Sequence, residues 1–282
     1  MPTVLSHDKI PLHYDVHDYT DPWKESSTLL LQHGFGRSGR FWYNMIPYLA
    51  RYFKVVCPTL RGLGTHYKLE DPENKISAEN YIKDLVTIID DLGVENVHYA
   101  GESLGGIIGM YFSGMHKERV RTLSLLAAPL IISEETQKTF TVGYPTWQDA
   151  LRTLGVAGWS DAVNTLTRFP PGTDPKMLKW FSSEMSKSNL DVVIAMSKLA
   201  GKVNPVEQLS KIEAPVLGLY PRSGGAITSN QQFKLLKENI KNLTLIQLDT
   251  TYHMVQTIEP ASCAKQILYF CSQFDRKPCR ES

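Results

Sequence analysis

The chain has 282 residues, 42% of them apolar and 21% charged, with a formal net charge of +1. Such a chain can bury a large core as a soluble globule, and its near-neutral balance gives no electrostatic case for nucleic acid or an anionic membrane as partner. The N-terminus MPTVLSHDKIPLHY lacks the apolar segment of a secretory signal, no run of about 18 apolar residues occurs, and Cys57, Cys263, Cys271 and Cys279 form no CxxC pair. A cytoplasmic protein with reduced thiols is the expectation.

In chain order, Thr3 to Val16 holds two short extended runs around HDKIP, which predicts a β-hairpin. TLLLQHG, FKVVCPT, VHYAGES, TLSLLAAP, APVLGLYP and LTLIQLD then follow at intervals. Each is apolar throughout rather than alternating, the pattern of strands buried on both faces of a mostly parallel sheet. Helical patterns lie between them. SAENYIKDLVTIIDDLG places Ile82, Leu85, Val86 and Ile89 on one face, with Ser77 as N-cap and Gly93 just past the end. Leu104, Ile107, Ile108, Tyr111 and Met115 make a second stripe. Pro260 opens a last helix whose apolar side is Ile267, Leu268, Cys271 and Phe274. Strands alternating with helices predict an α/β fold, with its site at the carboxyl ends of the strands.

One stretch breaks the alternation. Residues 130–206 carry no buried-strand pattern and are helical, aromatic-rich and punctuated by prolines. They are expected to form a helical lid over a core made of residues 1–129 and 207–282. Most lid aromatics are expected to pack the lid itself, and a minority, among them Trp147, Trp159 and Trp180, to line a substrate pocket.

Three segments carry candidate chemistry. GESLGG, residues 101–106, fits G-x-S-x-G between a buried strand and a helix. That context puts Ser103 on a tight strand-to-helix turn, with helix N–H groups free to hold an oxyanion. QHGFG, residues 32–36, follows an earlier strand; Gly34 would shape its turn and the N–H of Phe35 would join that of Leu104 as an oxyanion donor, while His33 ties the loop down. His253, in TTYHMVQTIEP after the last strand, is the candidate general base. His7, His13 and His17 have no thiolate or carboxylate cluster to complete a metal site, and RGLG and GFGRSG lack the dinucleotide and Walker patterns. No cofactor or metal is expected, and the partner is a small-molecule substrate, with a homodimer left open.

These segments resemble the α/β-hydrolase superfamily over most of the chain. HGFGRSGRFWYNMIPYLARYFKVVCPTLRGLG, GESLGG and YHMVQTIEP look like 3-oxoadipate enol-lactonases and meta-cleavage-product hydrolases. The resemblance implies an eight-stranded sheet, a helical lid and serine-based hydrolysis of an ester, a lactone or a C–C bond. The chain departs from the family pattern twice. Thr59 stands where D-x-R-G has its Asp, and Gly225, in LGLYPRSGGAITS, stands where the catalytic acid is usual; the alternative seat after the preceding strand holds Ala127 and Ala128. Three readings stay open. The acid comes from elsewhere, Asp249 first and Glu134 or Glu135 next. Or Ser103 and His253 act as a dyad, the reading slightly favoured. Or the fold serves non-hydrolytic lyase or oxygenase chemistry, or ligand binding.

Overall fold

The structure, a computed structural model, describes residues 2–64, 68–222 and 227–275. The apolar runs that lack alternation lie side by side in it. β1 (Thr3–Leu5), β2 (Pro11–His17), β3 (Thr28–Gln32), β4 (Lys54–Thr59), β5 (Val97–Glu102), β6 (Val120–Leu126), β7 (Val216–Pro221) and β8 (Leu243–Leu248) form an eight-stranded sheet in the order β1-β2-β4-β3-β5-β6-β7-β8. β1 and β2 are the expected hairpin, β2 runs antiparallel to β4, and the remaining pairs are parallel. Alternate residues feed opposite layers of the core: Leu29 and Leu31 of β3 join one cluster and Leu30 the other, and in β7 Leu217 and Leu219 oppose Val216 and Tyr220. Every residue of β3, β5 and β7 is buried, which requires cover on both faces.

Helices supply that cover. α1 (Ile46–Leu49), α2 (Pro72–Lys75) and α3 (Ala78–Asp91) precede β5, and α4 (Leu104–Met115) follows it. The Ser77 hydroxyl caps α3 by accepting from the N–H of Asn80, and Gly93 beyond it has φ +67°, as the sequence predicts. α4 is buried nearly all round rather than along a stripe, although Met115 at its end is exposed. Between β6 and β7 come α5 (Glu134–Phe140), α6 (Trp147–Val163), a π-helical turn (Asn164–Arg168), α7 (Pro175–Met185), α8 (Leu190–Ala200) and α9 (Val206–Leu209), the segment expected to be the lid. α10 (Asn230–Asn239), α11 (Val255–Ile258) and α12 (Pro260–Asp275) complete the order, with Pro260 opening α12.

Thr59 has a structural task. Its hydroxyl accepts from the N–H of Gly39 at 3.0 Å. The neighbouring Arg61 is buried and ion-paired to Asp84 and Asp8. The sheet reverses its winding about β3, so a crevice opens beyond the ends of β3 and β5. Gln32, the last residue of β3, pairs with Gly101 of β5, which sets the loop at 33–37 beside Glu102 and Ser103.

Candidate active site

Ser103 sits between β5 and α4 with φ 53° and ψ −121°, a conformation that costs an L-residue of the order of 1–3 kcal/mol. Its surroundings hold it there. The Ser103 N–H donates to the carbonyl of Leu126 at 3.0 Å, and its own carbonyl accepts from Gly106 and Ile107. A Cβ on Gly101 would come within 2.4 Å of the carbonyl oxygen of Gly105, and one on Gly105 within 2.4 Å of that of Gln32. Both glycines are therefore imposed by backbone packed on backbone. The Ser103 hydroxyl has no hydrogen-bond partner among the described residues and opens into a narrow cavity of about 20 Å³.

Phe35, Leu104, Trp147, Trp159, Arg168 and His253 are among the residues lining this cavity. Neither the N–H of Phe35 nor that of Leu104 is used in a hydrogen bond of the described residues, so both donors are available at its floor. Trp147 stacks on Trp159 with ring centroids 5.6 Å apart, and Phe35 reaches from the core to within 4.7 Å of Trp147. The indole N–H of Trp159 is spent on the carbonyl of Phe140, whereas that of Trp147 has no partner. Larger hollows of about 790 and 640 Å³ lie on the surface beside β8, one against α10 and one against α12, away from Ser103.

Two expected pocket residues lie elsewhere. Trp180 of α7 packs against Phe41 and Tyr43, between β3 and β4, and does not line the cavity. Gly34 lies beneath it, where a Cβ would strike the guanidinium of Arg37 and the carboxylate of Glu102. The small residue lets that ion pair close against the loop.

The two buried histidines differ in their partners. His33 uses both nitrogens: Nδ1–H donates to the carbonyl of Gly34 at 2.8 Å and Nε2 accepts from the N–H of Leu60 at 3.0 Å. It ties the β3 loop to the end of β4. His253 follows β8, and the π-helical turn holds its main chain: Thr167 and Arg168 carbonyls accept from the N–H groups of His253 and Met254 at 3.0 and 3.2 Å. A kink at Gly155, with φ +68°, breaks α6 before that turn. The His253 ring places Nε2 3.3 Å from Oε1 of Glu102 and makes no hydrogen bond with Ser103.

Glu102 is fully buried, with Oε2 ion-paired to Arg37 and the Gly34 N–H bonded to the carboxylate. Burial pushes its carboxyl up, against the pull of Arg37 and Arg168; a guanidinium in direct contact still favours the carboxylate at neutral pH. Burial pushes His253 down to about 3, and Arg37 and Arg168 push the same way. Ionised Glu102 pulls against them, but Arg37 already neutralises it and Arg168 adds a second positive charge. The imidazole is therefore neutral at pH 7, the form a base requires. Arg168 is itself buried, lowered to about 9 by that burial, and has no carboxylate partner among the described residues. Its Nη1 donates to Asn164 Oδ1 at 3.0 Å, and its guanidinium lies 5.0 Å from the Trp159 ring.

The acids named from sequence are not brought here. The Asp249 side chain is 78% exposed and pairs with Arg222, and Glu134 and Glu135 are exposed in the first turn of α5. Gly225 lies outside the described residues. Glu102 was missed although it stands inside GESLGG; the available signal was a lone carboxylate ending a strand buried along its whole length, with Arg37 in the neighbouring loop.

A sequence profile of the α/β-hydrolase fold matches residues 27–157. A 3-hydroxybutyrate-oligomer hydrolase of Cupriavidus necator is 37% identical over 109 residues, which are 39% of this chain and 36% of that protein. A protein of Agrobacterium fabrum named as the carbamate hydrolase RutD is 24% identical over 94% of this chain and 100% of its own length. The crystal structure of an enol-lactonase from Burkholderia xenovorans LB400 superposes with a TM-score of 0.82 at 18% identity, covering 96% of this chain and 100% of that one. The strand order, the serine elbow and the matched profile agree in giving this chain the α/β-hydrolase fold, and the relatives it resembles are named as hydrolases.

Proposed function

We propose that the protein hydrolyses a small, largely apolar ester or lactone through an acyl-serine on Ser103. The observation that carries this reading is the strained elbow: Ser103 is held at φ 53° with its hydroxyl free, in one cavity with a neutral buried His253. A serine kept only for packing has no need of that conformation. His253 takes the Ser103 proton as the hydroxyl oxygen attacks the carbonyl, the N–H groups of Phe35 and Leu104 hold the oxyanion, and the proton then passes to the leaving oxygen. The hydrolases and the lactonase named above support a carbonyl substrate.

Aromatic and aliphatic walls favour an apolar body for the substrate. The unpartnered polar groups at the wall, Trp147 Nε1 and Thr167 Oγ1, together with Arg168, suit acceptor oxygens at one end of it. A cavity of about 20 Å³ holds little more than a water, so entry requires the lid segment to move. Release of p-nitrophenol from short-chain p-nitrophenyl esters, and ring opening of small lactones, test the reading. Wild-type protein is expected to turn over members of this panel and Ser103→Ala to fall to background while melting normally. Equal rates for the two proteins would overturn the acyl-serine.

A further inference from the structure

We infer that Glu102, the residue directly before the nucleophile, is the carboxylate that positions His253. This rests on the acyl-serine reading above and supplies the acid missing from the β7 turn. Four charged or titratable groups meet at the site: Arg37 from the β3 loop, Glu102 from β5, Arg168 from the lid and His253 from the loop after β8. Glu102 is the one carboxylate among them, its side chain wholly buried, with one oxygen on Arg37 and the other 3.3 Å from Nε2 of His253. That second oxygen makes no hydrogen bond among the described residues, which leaves it free to accept one from the imidazole Nε2–H 3.3 Å away.

On this inference each nitrogen has its own role. A neutral imidazole carries one proton. With that proton on Nε2, facing Glu102, the lone pair is on Nδ1. Nδ1 then receives the Ser103 proton as the Oγ–C bond to the substrate carbonyl forms, and the imidazolium is stabilised by Glu102 through Nε2. In the next step the same proton leaves Nδ1 for the departing oxygen, and the base returns to its starting state. His33 is the opposite tautomer, proton on Nδ1 and acceptor on Nε2, and serves as an internal reference.

Glu102 has an alternative task, which is only to neutralise buried Arg37, and a double variant separates the two. Glu102→Gln is expected to lower kcat for p-nitrophenyl acetate by roughly 10³- to 10⁴-fold, with KM changed far less. If Glu102 positions His253, Arg37→Met/Glu102→Gln stays as slow, because removing the cation does not restore the carboxylate. Recovery of the double variant to within a few-fold of wild type would show a merely structural role and overturn the inference. Nitrogen-15 NMR of histidine-labelled wild-type protein at pH 7 needs no variant to fold and no turnover. The inference expects His253 protonated on Nε2 and His33 on Nδ1; His253 protonated on Nδ1 would overturn it. Failure of wild type to cleave any ester, with the Nε2 tautomer found, would count against the acyl-serine and leave Glu102 in place as the partner of His253.

Discussion

The loop after β3 and the loop after β8 each bring one histidine into the interior, and burial lowers both to about 3. His33 has both ring nitrogens committed to main-chain groups of its own neighbourhood. His253 has one nitrogen near a carboxylate, the other unengaged, and its main chain held by the π-helical turn rather than by the sheet. A depressed pKa marks burial in both places; only the distribution of partners separates a tie from a base. The β3 loop is tied to itself and to the end of the neighbouring strand β4, and the β8 loop is held by the π-helical turn at Asn164–Arg168, far earlier in the chain.

Acid should expose the likeness before it exposes the difference. Both folded-state values lie below the unfolded 6.5, so the unfolded chain binds more protons between about pH 6.5 and 3. Stability is therefore fully present above that window and falls as pH drops through it, as urea midpoints measured from pH 7 to 4 should record. The difference appears on substitution. His33→Ala leaves the Leu60 N–H and the Gly34 carbonyl buried without partners, at about 1–3 kcal/mol each, and should lower the urea midpoint at pH 7 strongly. His253→Ala strands no main-chain group and should cost less stability while removing turnover. Equal destabilisation by the two would break the comparison.

The tryptophans of α6 and α7 sharpen the same contrast by steps. Trp159→Ala removes a fully buried ring and its bond to Phe140, at about 3–5 kcal/mol, so its effect should be mainly on melting. Trp147→Ala loses no hydrogen bond and enlarges the cavity, so KM should change at smaller cost to stability. Trp180→Ala, outside the cavity, should leave KM unchanged and melting only slightly lower. A KM change from Trp180 alone would place the substrate elsewhere.

Local constraints account for what was legible in the sequence. G-x-S-x-G announced its turn because Gly101 is demanded by the backbone of Gly105 within the same motif, while Gly105 is demanded by Gln32 at the end of β3. β3 to β7 showed because burial on both faces leaves no polar alternation to mask them; β8, read the same way from LTLIQLD, is instead a partly exposed strand at the sheet edge. The helical stretch between β6 and β7 was readable for the converse reason, the lack of any such run there. Trp180 was misplaced because aromatic content does not say whether a ring meets the cavity or, as here, Phe41 and Tyr43. Glu102 was passed over because the resemblance directs attention to Gly225 and the turn after β7, and because its significance depends on Arg37 and His253, 65 and 151 positions away. Asp249 was close to His253 in sequence, yet its side chain turns to solvent and Arg222.

The account depends most on Ser103 being activated by His253. Treating wild type, His253→Ala and Ser103→Ala with a fluorophosphonate at pH 7, and locating the adduct by peptide mass spectrometry, measures that directly. The account predicts an adduct on Ser103 in the wild type, none on that peptide in Ser103→Ala, and labelling in His253→Ala slower by several orders of magnitude. Labelling of Ser103 at the same rate without His253, or no labelling of Ser103 in the wild type, would contradict it.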